Sequence, residues 1–63
     1  MLNPVVFRTV DDKKIMIDVC SIVGVQEHPT KDWTILYFGS HSLTVAGKFG
    51  DVWALIDGVR DDA

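Results

Sequence analysis

The chain has 63 residues, 48% of them hydrophobic, and a formal net charge of -3; a domain of that length buries only about 60% of the surface its unfolded form exposes. Small domains of this kind add disulfides, a metal or a partner subunit. The single cysteine, Cys20, excludes an internal disulfide, and His28 and His41 without a second thiol argue against a structural zinc.

That leaves self-association as the expected source of extra burial. The apolar content, higher than one small sheet and one helix need, points the same way. Arg8, Lys13, Lys14, Lys31, Lys48 and Arg60 are scattered and form no basic stripe, which argues against nucleic-acid binding. No charged start precedes an apolar core and no apolar run reaches membrane-spanning length, so neither a signal peptide nor a membrane anchor is expected. One unpaired thiol suits a reducing, cytoplasmic compartment.

In chain order, Val5, Phe7 and Thr9 alternate with Val6, Arg8 and Val10, which predicts a first strand over 4–10 with Pro4 at its first position. Asp11 to Lys14 is a charged turn. Ile15 to Val19 alternates as a second strand, and Cys20-Ser21 breaks the alternation before a third strand over 22–27. A corner is expected there. Gly24, inside the third strand, marks a bulge or bend in a small curled sheet.

His28 to Asp32 is polar and carries Pro29, hence a hairpin loop. Trp33 to Phe38 follows, with Trp33, Ile35 and Tyr37 on one face and Leu36 and Phe38 on the other. Apolar residues on both faces predict a central strand. Gly39 to Ser42 is a turn and 43–46 a fifth strand. From Lys48 the period changes: Phe49, Val52, Trp53, Ile56 and Val59 recur at helical spacing, predicting an amphipathic helix over 48–57. Asp51 would complement its dipole, Gly58 would cap its end, and Trp53 would face the core. The tail from Arg60 is expected to fray. These elements predict one α+β domain: a small twisted antiparallel sheet or half-open barrel of about five strands, with one C-terminal amphipathic helix.

The run Ile15 to Asp18, Ile22 to Glu27, Thr34 to Phe38 and Leu43 to Ile56 resembles small flagellar proteins of the FlbD type, and its strand-to-helix part is similar to one repeat of LytTR-type DNA-binding domains. Gly47-Lys48 stands where those helices tend to begin with a serine-type cap, and the basic loops of the LytTR type are absent. What the resemblance implies is a fold with a role in self-association and regulation. It implies no site.

Ser40, His41 and Ser42 with any nearby aspartate do not form a nucleophile set, because adjacent residues cannot take up that geometry. No catalytic constellation, metal or cofactor is therefore expected. Gly47-Lys48-Phe49-Gly50 is the one ligand-like arrangement, since glycines admit close backbone approach, a helix start is electropositive and a lysine adds a cation. The spacing is not that of a P-loop.

Two functions follow as expectations. The first is a non-enzymatic homo-oligomer that sequesters or occludes a partner-protein surface, like a regulator or a phage-encoded inhibitor. The alternative is a sponge for a small anionic, nucleotide-like ligand between protomers, using Gly47, Lys48 and Gly50, with His41 or Arg8 from a neighbouring chain and Trp33 or Tyr37 stacking on a base.

Overall fold

The computed structural model describes residues 3–61. Five antiparallel strands, β1 (Pro4–Arg8), β2 (Lys14–Asp18), β3 (Gly24–Glu27), β4 (Trp33–Tyr37) and β5 (Ser42–Ala46), precede one helix, α1 (Phe49–Asp61). β1 and β2 form a hairpin, while β3, β4 and β5 form a three-stranded sheet with β4 in the middle. A lone antiparallel bridge between Thr9 and Val45 joins the two sheets. The expected α+β fold is therefore present, unclosed, with β1 and β2 as the edges of one sheet and β3 and β5 as the edges of the other.

Local chemistry sets each connection. At the β1–β2 turn Asp12 adopts a left-handed φ of 68°, which aspartate tolerates better than most residues, and its carboxylate pairs with Arg8 at 2.7 Å. The Thr9 amide donates to the Lys13 carbonyl at 2.7 Å and closes the hairpin. The expected corner at Cys20-Ser21 is a short 3-10 turn, Val19–Ser21, which also takes in Val19, the residue that the alternation placed last in the second strand. Asp18 Oδ1 accepts from the Cys20 amide and from the Asn3 amide, each at 3.1 Å, so one carboxylate ties the start of β1 to that corner. The third strand accordingly begins at Gly24, two residues later than the alternation alone suggests.

The core gathers Phe7 from β1, Ile17 from β2, Val19 and Ile22 from the corner, Leu36 from β4, Val45 from β5, and Val52 and Ile56 from α1. Thr34 is also wholly buried; its Oγ1 donates to the Gly47 carbonyl at 2.9 Å. Register explains this contact. Trp33 pairs with Ala46 and Thr34 with Val45, so the residue after Ala46 must turn beside the start of β4. The Gly47 amide donates to the Asp32 carbonyl at 2.9 Å, and the two bonds pin the strand-to-helix corner.

The helix departs from expectation in two ways. It continues through Gly58 to Asp61, so Gly58 is not its cap; half-buried Val59 packs against the core and offsets the cost of an interior glycine, about 1 kcal/mol. Trp53 is 40% exposed and not a core residue, because only Val52 and Ile56 lie centrally enough on the helix to be enclosed. Residues 62 and 63 of the expected tail lie outside the described residues.

Gly47 takes φ 121°, and a Cβ there would lie 3.2 Å from Val52 Cγ2. Gly47→Ala should thus cost more than about 1 kcal/mol, whereas Gly58→Ala, with open space around it, should stabilise by up to about 1 kcal/mol. Urea denaturation of the two variants, read by circular dichroism, checks both signs.

Candidate functional site

Two grooves flank α1. The first, of about 600 Å³, lies between the β3–β4 loop and the helix start, and is lined by residues 27–33 and 48–51. The same register that pins Gly47 beside Asp32 brings Lys48, Gly50 and Trp33 to this one place. His28 joins them. Its amide donates to the Trp33 carbonyl at 3.2 Å, and its ring meets the Trp33 ring edge to face with centroids 5.1 Å apart. His28 Nδ1 accepts from the Thr30 and Lys31 amides at 3.2 and 3.0 Å, so the loop is held by an imidazole unprotonated at that nitrogen.

The charges around this groove oppose one another. Lys31 and Lys48 share its lining with Glu27, Asp32 and Asp51. A helix start favours an anion, but three carboxylates at its mouth offset that field.

The other residues singled out in the sequence lie elsewhere. Arg8 sits at the β1–β2 turn in its pair with Asp12. His41 occupies the β4–β5 turn, its ring stacked on Phe38 at 5.6 Å, and the Phe38 amide donates to its carbonyl at 2.9 Å. Tyr37 donates its hydroxyl to Gln26 on the neighbouring strand. Within one chain, then, Lys48, Gly50 and Trp33 line one groove, with Gly47 bonded to Asp32 beside it, and Arg8, His41 and Tyr37 lie elsewhere. His28 was passed over as a loop residue; its position directly before Pro29 and one short loop from Trp33 was the available signal.

The second groove, of about 310 Å³, runs between α1 and the stretch leading into β3, and is lined by Ile22, Val23, Gly24, Val25, Phe49 and Trp53. No ionisable side chain lines it. Val23 is 73% exposed, Phe49 36% and Trp53 40%. The apolar helical stripe is wider than the core it packs on, so its flank emerges here beside the β3 edge.

Among the described residues no three histidine, cysteine, aspartate or glutamate side chains gather to hold a metal ion. No described helix is long and apolar enough to cross a membrane. Asp18 has its carboxyl held below the usual 3.8 by the backbone N–H of Asn3 and then that of Cys20. Neither groove contains it. No family model, curated protein or solved structure matches the chain.

Proposed function

We propose that the chain is a non-catalytic, homo-oligomeric binding protein of the cytoplasm that works by covering part of another protein, as a regulator or phage-type inhibitor does. The observation that carries this reading is the convergence of Val23, Phe49 and Trp53 on one uncharged groove. Aromatic residues at the centre of a water-excluding patch supply most of the energy of protein contacts. A role in regulation and self-association agrees with the FlbD-type resemblance. The mixed charge at the helix start makes the anion-sponge reading the weaker of the two.

Trp53→Glu tests the occluding surface. The substituted side chain is 40% exposed and lies outside the core, so melting should change less than for a core residue while capture of a partner held by the wild-type chain falls by more than about tenfold, as for loss of a hot-spot residue worth 2 kcal/mol or more. A partner retained equally by Trp53→Glu and Val23→Glu contradicts the assignment of this groove.

A further inference from the structure

β2 is hydrogen-bonded to β1 on one side only. The bonds from the Thr9 amide to the Lys13 carbonyl and from the Val19 amide to the Asn3 carbonyl bracket the hairpin. They mark the odd-numbered residues of β2 as the ones that bond to β1. By the alternation of an antiparallel ladder, the N–H and C=O groups of Lys14, Met16 and Asp18 then face the open edge.

Read in the opposite direction, this strand is its own complement. A two-fold axis at Met16 sets Lys14 opposite Asp18 of a second copy, Ile15 opposite Ile17, and Met16 opposite itself. The outward-facing groups of Lys14 and Met16 and the Asp18 amide meet outward-facing partners, which is the register condition for a ladder; the Asp18 carbonyl already accepts from the Ser21 hydroxyl at 2.6 Å and would be shared at the end rung. A charged edge ordinarily discourages pairing; here the end charges are opposite in sign and spaced to meet. Lys14 has no ion partner among the described residues. Asp18 has its Oδ1 bonded to the Asn3 and Cys20 amides at 3.1 Å, which leaves Oδ2 as the oxygen for a second copy's lysine.

The outer face adds an apolar element. Val6 and Met16 are cross-strand partners and are 51% and 67% exposed. Across the axis they would form one strip, Val6, Met16, then Met16 and Val6 of the second copy. β3, an edge of the three-stranded sheet, lacks this complementarity. Its one charged residue is Glu27, and no antiparallel self-pairing of Gly24–Glu27 brings it an opposite charge.

We propose that two copies of the chain pair antiparallel through β2, with Lys14 of each bonded to Asp18 of the other, making a four-stranded sheet β1-β2-β2-β1. This assignment rests on the self-association reading and names its interface. It also leaves the Val23, Phe49 and Trp53 groove free on each protomer for the target.

Sedimentation equilibrium of the full chain and its variants tests the interface. Lys14→Glu sets like charges face to face at both ends and should weaken the dimer roughly tenfold or more, and adding Asp18→Lys should restore it. Because Asp18 also holds the corner, a second test leaves it intact: Met16→Cys in a Cys20→Ser background should cross-link on mild oxidation. Directly opposed residues of a hydrogen-bonded pair lie about 5.5 Å apart at Cα, within the disulfide range. Val23→Cys in the same background should not cross-link. A dimer that tolerates Lys14→Glu, or one that cross-links through Val23→Cys and not Met16→Cys, overturns the β2 interface but leaves self-association standing. A wild-type chain that sediments as a monomer overturns both.

Discussion

Leu36→Ala should lower the stability of the chain by about 2–5 kcal/mol, the range for truncating a wholly buried leucine. Leu36 lies at the centre of the middle strand and is fully enclosed, paired with Val25 on one side and Leu43 on the other. The cavity left behind has strands on both flanks and the helix above, so little can collapse into it. A domain of this length has about 3–9 kcal/mol in total. The substitution therefore removes a large share of what there is, and urea denaturation followed by far-UV circular dichroism should show a mostly unfolded chain or a midpoint near zero denaturant. An unchanged midpoint would mean that Leu36 does not occupy the core.

Thr34→Val should be the next most damaging, although it keeps shape and adds an apolar methyl. The hydroxyl is the group that donates to the Gly47 carbonyl, and removing it leaves a part-buried acceptor without its donor, a loss of about 1–3 kcal/mol. The damage should be local as well as global. Hydrogen exchange at the Val52 amide, which closes the first helical turn on the Lys48 carbonyl at 3.0 Å, should quicken more than exchange in β3. Thr34→Ser, which retains the donor, should keep that protection. If Thr34→Val and wild type exchange alike at Val52, the strand-to-helix corner is held by something other than this bond.

Much of the architecture was readable because period and punctuation agreed. Alternation in Val5 to Arg8 and Ile15 to Asp18, broken by a charged turn, leaves little choice but a hairpin. The corner at Cys20-Ser21 announced itself as a lapse in that alternation. Where the reading missed, a three-dimensional quantity decided. Helical spacing places Phe49 and Trp53 on the apolar stripe, but the width of the core under the helix admits only Val52 and Ile56 fully. Likewise Gly58 looks like a cap until Val59 is seen packing inward and carrying the helix on.

The grooves follow the same division. That Gly47, Lys48 and Gly50 would sit at a helix entrance was legible. That His28 and three carboxylates would share a groove with Lys48 and Gly50 depends on which residues β4 and β5 set side by side. The opposite charges at the two ends of Lys14–Asp18 were in plain view as letters. They acquire meaning only once β2 is known to be an edge, since the same pattern in a central strand would have no second copy to meet.

The proposal beneath all of this is that the chain pairs with another copy of itself, covering the exposed Val6 and Met16 at its β2 edge. Sedimentation equilibrium at micromolar concentration, on the unaltered chain, tests it with no assumption about ligand or target. A mass at least twice the 7.0 kDa of one chain is the predicted result. A folded species that stays at 7.0 kDa across the accessible concentrations would contradict it.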